Sequence, residues 1–240
     1  MELLEKFDTF IFDLDDTIFD SEKRNIKYIF EFFKKKNINL DEEDKNIVFG
    51  HSWQYIYSFL KRKYNLSESV EKINKDILKI KFQDIKKHPL MLNPGIKEFL
   101  NLLKKKKKKI AIVTGSCYKE AVFMLKSANL DIYFFNKDYP FWKKKYLIFA
   151  AGDYKESKPS PEGFLLALKI LKAIPSKTLV FEDSKSGILA AKKAGCNVAF
   201  IKNFSSLLVD KLETLKPDYI FQDFTEILKS LFSKDKQYII

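Results

Sequence analysis

The carboxylates with the clearest chemical potential lie in the stretch Thr9 to Thr17, which reads TFIFDLDDT. Asp13 and Asp15 alternate with Leu14, so in an extended segment their side chains share a face. Two anions held that close repel unless a proton or a cation intervenes, and a hard divalent ion such as Mg2+ suits oxygen ligands. The plainer reading is an acidic turn after an edge strand, since Asp and Thr are common turn formers. Three other places weigh on the choice. Thr114, followed by Gly115 and Ser116, offers a hydroxyl and backbone donors just ahead of a helix, an arrangement suited to phosphate. Lys158 precedes a proline turn in SKPSPEGF, and Glu182 with Asp183 forms a second carboxylate pair.

Most of these groups stand where a strand must stop. Phe10-Ile11-Phe12 before Asp13, Ile110-Ala111-Ile112-Val113 before Thr114, and Leu179-Val180-Phe181 before Glu182 are apolar runs without a helical period. That is the pattern of strands buried on both faces of a parallel sheet. Residues 198–201 and 219–221 and a short strand from Lys145 to Ala151 extend the set, with helices expected over 96–103, 118–128, 161–171, 188–194 and 224–232. In a parallel sheet the carboxyl ends of the strands share one edge, which is where open α/β sheets bind ligands. From Asp20 to His88 only helical signals occur, with Asp20 or Ser21 as the first N-cap. The chain therefore reads as an α/β protein. A Rossmann-like parallel-sheet domain comprises residues 1–19 and 89–240, and a helical module of residues 20–88 is inserted after the first strand. Together the strand-end groups compose a phosphate-transfer set: a nucleophilic carboxylate, a second carboxyl for acid/base work, a metal site, and cationic and hydroxyl groups for phosphoryl oxygens.

Composition narrows the class. The 240 residues are 46% hydrophobic and 15% aromatic, ample for a sizeable core. The net charge of +12 comes almost wholly from lysine, with Arg24 and Arg62 the only arginines. Nucleic-acid recognition favours arginine, and no nucleic-acid motif is present. The run Lys104 to Lys109 is read as the solvated last turn of a helix. Cys117 and Cys196 have no metal-type spacing and are too few for a disulfide framework. Glu2, Glu5 and Asp8 crowd the start of the chain, unlike the basic-then-apolar layout of a signal peptide, and no apolar run approaches a membrane span. These features predict a cytoplasmic protein without nucleic-acid or membrane partners, a monomer or weak homodimer.

In their order along the chain, DLDDT at Asp13 to Thr17, IVTGS around Thr114, SKPSPEGF around Lys158 and FEDSKSGILAAKKAG at Glu182-Asp183 resemble the four motifs of the haloacid dehalogenase-like (HAD) superfamily. The helical insert resembles the cap of the subgroup containing phosphoglycolate phosphatase and β-phosphoglucomutase. The resemblance spans essentially the whole chain. It implies a Mg2+-dependent phosphatase of a small phosphorylated metabolite working through an aspartyl-phosphate. Asp13 would be the nucleophile, and Asp15 would protonate the leaving alcohol and then activate water. Thr114, Gly115 and Lys158 would hold the phosphoryl group. Mg2+ would be bound by Asp13, the backbone carbonyl of Asp15, Asp183 and, beside it and through water, Glu182. His51 and Trp53, in the cap, are candidates for substrate specificity, with the plainer alternative that both belong to the cap's own fold. The alternatives are a sugar-phosphate mutase of the β-phosphoglucomutase type and, more remotely, an inactive phosphate-binding module. Asp15 favours phosphate esters, because the dehalogenases and phosphonoacetaldehyde hydrolases lack an aspartate there. The segment from Asp131 to Ala151, rich in aromatic residues, is longer than relatives usually have.

Overall fold

A computed structural model of the chain describes residues 2–48, 52–136, 144–207 and 212–232. In chain order it forms α1 (Glu2–Lys6), β1 (Thr9–Phe12), α2 (Glu22–Lys34), α3 (Glu42–Val48), α4 (Trp53–Lys63), α5 (Val70–Lys87) and α6 (Ile96–Lys105). There follow β2 (Lys109–Cys117), α7 (Tyr118–Ser127), β3 (Ile148–Ala151), α8 (Glu162–Leu171), β4 (Thr178–Glu182) and α9 (Lys185–Lys193). The chain closes with β5 (Asn197–Ile201), α10 (Leu212–Leu215), β6 (Tyr219–Phe221) and α11 (Phe224–Phe232). These elements make two compact units, one of Met1–Asp20 with Met91–Ile240 and one of Ser21–Leu90.

The first unit is built on a six-stranded sheet in the order β3-β2-β1-β4-β5-β6, with every neighbouring pair parallel. It is the Rossmann-like α/β core expected from the apolar runs. β1 lies between β2 and β4, with Phe12 in register with Ile112 on one side and Phe181 on the other. The chain order reverses at β1, so the carboxyl ends of β1, β2 and β4 border the crevice where such sheets bind ligands. Alternation along β1 sends its residues to two different cores. Ile11 joins Val113, Phe149, Val180 and Phe200 in an aliphatic layer against α8 and α9. Phe10 and Phe12 face the other way, into a cluster of aromatic rings with Phe99 of α6, Phe181 and Phe224 of α11. Phe12 stacks on Phe181 with centroids 4.8 Å apart, which fixes the strand just before Asp13.

Several boundaries depart from the sequence reading. α1 has no counterpart in it, because five residues are too few to show a helical period. The lysine run divides: α6 ends at Lys105, Lys107 turns in the left-handed region at φ 55°, and Lys109 already begins β2. β3 starts at Ile148 rather than Lys145. Of the aromatic segment, Phe134 is buried against Phe12 and Phe135 bridges Tyr146, whereas Tyr139, Phe141 and Trp142 lie outside the described residues.

The second unit holds α2 to α5 around a core of Tyr28, Ile29, Phe33, Ile56, Leu60, Ile73 and Ile77. Ser52 and Ser69 cap α4 and α5 by accepting the Tyr55 and Lys72 amides. Ser21 occupies the N-cap of α2 without a side-chain capping bond. The unit's two ends are tied together. Arg24 Nη2 donates to Asp84 Oδ2 at 2.5 Å and to the His88 carbonyl at 2.7 Å, and the Tyr28 hydroxyl donates to the same Asp84 oxygen at 2.7 Å. No helix among the described residues is long and apolar enough to cross a membrane.

Candidate active site

β1 delivers Asp13 to the sheet edge one residue past the strand, where its N–H still donates to the Phe181 carbonyl at 3.0 Å. The chain then turns sharply. Asp16 takes a left-handed φ of 55°, its N–H reaches the Phe19 carbonyl at 2.7 Å, and the Ile18 N–H reaches the Leu14 carbonyl at 3.0 Å. Asp tolerates this conformation better than most residues. Asn93 braces the turn from outside, its Nδ2 donating to the Thr17 carbonyl at 3.0 Å. The buried Thr17 hydroxyl crosses to β4 and donates to Asp183 Oδ1 at 2.9 Å.

β2 contributes a distortion. Val113 pairs with Phe149 and Cys117 with Ala151, so four steps on β2 match two on β3, and the excess is a bulge at Thr114, Gly115 and Ser116. Bulges of this kind re-aim side chains beside active sites. Within it the Ser116 N–H donates to Thr114 Oγ1 at 3.0 Å, and the Ser116 hydroxyl donates to Asp15 Oδ2 at 2.8 Å. Gly115 is exposed, and a Cβ added there would meet nothing within 4 Å.

Lys158 arrives from the turn before α8, just ahead of a cis Lys158–Pro159 peptide. Its ammonium stands between two carboxylates, 2.5 Å from Asp13 Oδ1 and 2.5 Å from Glu182 Oε1, and donates to the Val113 carbonyl at 3.1 Å. The other Glu182 oxygen accepts from the amides of Asp183 and Ser184 and from the Ser184 hydroxyl at 3.0 Å. That hydroxyl in turn caps α9 at the Gly187 amide. A Cβ on Gly187 would lie 1.9 Å from the Glu182 carboxyl, so the first turn of α9 admits this side chain only because residue 187 is glycine.

Electrostatics follow from burial. Desolvation pushes the Asp13 carboxyl well above the usual carboxylate range; Lys158 pulls it back, while Glu182 and Asp15 push it further up. Asp183 is raised for the same reason, by burial first and then by Glu182, Asp13 and Asp16, with only the Thr17 hydroxyl opposing. Burial alone would lower the Lys158 ammonium, but its two carboxylate neighbours outweigh it and hold the proton on.

Among the described residues no three His, Cys, Asp or Glu side chains form a ready metal cage. The donor set nonetheless fits Mg2+, which takes one or two carboxylates and completes its shell with water and phosphate oxygens. Asp13 and Asp183 are two buried carboxylates, and the Asp13 charge is among those that raise the affinity of Asp183 for positive charge. Glu182, expected as a ligand, has both oxygens engaged by Lys158 and by the residue 183–184 turn.

The structure thus brings Asp13, Asp15, Thr114, Lys158, Glu182 and Asp183 to one sheet edge. Trp53 starts α4 on the helical unit, half-buried against that unit's core with its ring 5.8 Å from Tyr57. His51 lies outside the described residues. Sequence reasoning assigned no role to Thr17, Ser116 or Tyr154, whose hydroxyl donates to the Thr114 carbonyl at 2.8 Å. Thr17 ends the DLDDT stretch and Ser116 follows Thr114 by two, so their positions held a clue; nothing local marks Tyr154.

The chain has known relatives. A phosphatase of phosphorylated carbohydrates from Thermotoga maritima is 29% identical over 228 residues, covering 91% of this chain and 98% of the relative. A HAD hydrolase from Entamoeba histolytica superposes with a TM-score of 0.76 at 20% identity, covering 92% of this chain and 95% of its own. A β-phosphoglucomutase from Clostridium difficile does so at 0.66 and 23%, covering 93% and 96%. At these identities the two solved structures speak for the fold alone. The profile of the haloacid dehalogenase-like hydrolases matches residues 10–201, from β1 through the end of β5. The chain belongs to the haloacid dehalogenase-like hydrolase family.

Proposed function

We propose that this phosphoric monoester hydrolase removes phosphate from a small phosphorylated metabolite through an aspartyl-phosphate on Asp13. The observation that carries the reading is the buried Asp13 carboxylate at the end of β1, paired at 2.5 Å with Lys158, with Asp15 hydrogen-bonded to Ser116 beside it. An isolated carboxylate could not approach a phosphate dianion against Coulomb repulsion, and Lys158 offsets that charge. An Asp13 oxygen bonds to phosphorus as the ester P–O bond breaks, and Asp15 gives its proton to the leaving oxygen. Asp15 then takes a proton from water, whose oxygen attacks phosphorus and frees Asp13 and inorganic phosphate. The Thr114 hydroxyl accepts the Ser116 amide, which leaves its own proton to donate to a phosphoryl oxygen, and the Gly115 amide is a second donor. Asp13, Asp183 and the Asp15 carbonyl would hold Mg2+, which would supply Lewis-acid neutralisation of the phosphoryl oxygens. Glu182 holds Lys158 in place.

Similarity to the Thermotoga maritima phosphatase points to phosphorylated carbohydrates as the substrate class. The helical module of residues 20–88 is proposed as the cap that sets preference among them, through His51 and Trp53. Trp53→Leu should then alter the ranking of esters more than the rate on para-nitrophenyl phosphate. The primary test measures phosphate release from a panel of sugar phosphates and para-nitrophenyl phosphate, with Mg2+ and with chelator. Wild type releases phosphate only with Mg2+, and a folded Asp13→Asn variant releases none. Turnover by that variant would refute the nucleophile, and isomerised sugar phosphate in place of free phosphate would establish a mutase.

A further inference from the structure

The loop between β3 and α8 braces the β2 bulge at two consecutive carbonyls. Lys158 Nζ donates to Val113 O at 3.1 Å, and the Tyr154 hydroxyl donates to Thr114 O at 2.8 Å. The second contact matters because Thr114 has no partner in the register between β2 and β3. Its carbonyl would otherwise be left without the ladder bond that a strand normally supplies. The loop is itself held in shape: Asp153 Oδ2 accepts the Ala150 amide at 2.9 Å, and Glu162 accepts the Lys155 amide at 2.8 Å. The tyrosine ring has a prepared seat. A Cβ at Gly163 of α8 would come within 2.9 Å of Tyr154 Cε1, so the close approach of ring and helix depends on that glycine.

The Thr114 carbonyl and the Gly115 N–H belong to one planar trans peptide, in which the two groups point in opposite directions. Fixing the oxygen from one side therefore fixes the N–H on the other, at a residue that is itself exposed. A hydrogen bond to the oxygen also polarises the same amide and makes its N–H a stronger donor. We propose that Tyr154 is a positioning residue for the phosphoryl group, orienting and polarising the Gly115 amide through the Thr114 carbonyl. The inference rests on the phosphatase reading above, in which that amide holds a phosphoryl oxygen. Burial pushes the phenol up to about 12, so it remains a donor across any ordinary assay range.

The test is Tyr154→Phe, which keeps the ring in its seat and removes only the hydroxyl. Three readouts are taken with Mg2+ present: kcat/KM on para-nitrophenyl phosphate, the inhibition constant of inorganic phosphate, and Tm. Loss of one oriented donor should lower kcat/KM about five- to tenfold and raise the phosphate inhibition constant by a similar factor. The shape of the pH profile should not change. A variant in which Tm falls while both kinetic quantities stay at wild-type values would make Tyr154 a merely structural brace and overturn the proposal. So would a variant identical to wild type in all three. A wild-type protein without phosphatase activity would instead overturn the underlying reading, which keeps the two failures apart.

Discussion

Replacing Lys158 with methionine tests the electrostatic logic of the site most directly. The ammonium is the cation shared by Asp13 and Glu182, and the Glu182 side chain is fully buried. Removing it leaves two carboxylates with water largely excluded. Each can stay ionised, at the cost of an uncompensated buried charge of about 3–5 kcal/mol. Alternatively it can take up a proton: from an ordinary carboxylate pKa near 4 to pH 7 this costs about 1.4 kcal/mol per unit, or roughly 4 kcal/mol. The cheaper route sets the ceiling for each of the two, so Lys158→Met should lose up to about 6–8 kcal/mol at pH 7. In a domain of this size that lowers Tm by about 20 °C. Because the folded variant then binds more protons than the unfolded chain, its stability should fall as pH rises from 5 to 8, more steeply than that of wild type. Adding Asp13→Asn should restore roughly half of the loss, since one of the two stranded charges is gone. Thermal unfolding followed by circular dichroism across this pH range, without Mg2+, measures all three. A loss below about 1 kcal/mol with a wild-type pH slope would show that Lys158 is not the compensating charge.

Gly187→Ala should displace the Glu182 carboxyl, which lies 1.9 Å from the added Cβ, costing about 1–3 kcal/mol in unfolding experiments and lowering phosphatase activity with it. Asp183→Ala should raise the Mg2+ concentration for half-maximal activity at least tenfold; unchanged half-saturation would remove Asp183 from the ligand set. In the helical unit, the Arg24 guanidinium beside Asp84 holds its carboxyl well below the usual carboxylate range, and the Tyr28 hydroxyl and His88 ring assist. A depressed folded pKa contributes stability above pH 4 that fades as pH falls toward the folded value. Asp84→Asn should therefore speed hydrogen exchange in α2 and α5 at pH 6, by an opening free energy lower by about 1–2 kcal/mol, with the difference shrinking below pH 4.

How much of this was legible along the chain depended on the range of the interaction. The apolar runs at residues 10–12, 110–113 and 179–181 announced buried parallel strands because burial on both faces excludes polar residues locally. The polar residues that end β1 and β4 were equally plain, since a strand that stops in Asp13 or Glu182 delivers a carboxylate to a sheet edge whatever the rest of the fold does. The reach of side chains across the sheet was not legible. Lys158 meets Asp13 over 145 residues, Thr17 meets Asp183 over 166, and Ser116 meets Asp15 over 101. Glu182 illustrates the difference: its type and place suggested a carboxylate beside a metal, whereas its contacts with Lys158 and a turn follow from the glycine in α9 that lets it lie there. Tyr154 had no signal at all, because its contact answers a bulge in β2, far earlier in the chain, that leaves one carbonyl unpaired by β3. Local residue patterns determined the strands, their order of appearance and the charges at their ends. Only tertiary structure decided which charge compensates which, because pairing across a sheet depends on register and strand order, and neither is written in any single stretch of sequence.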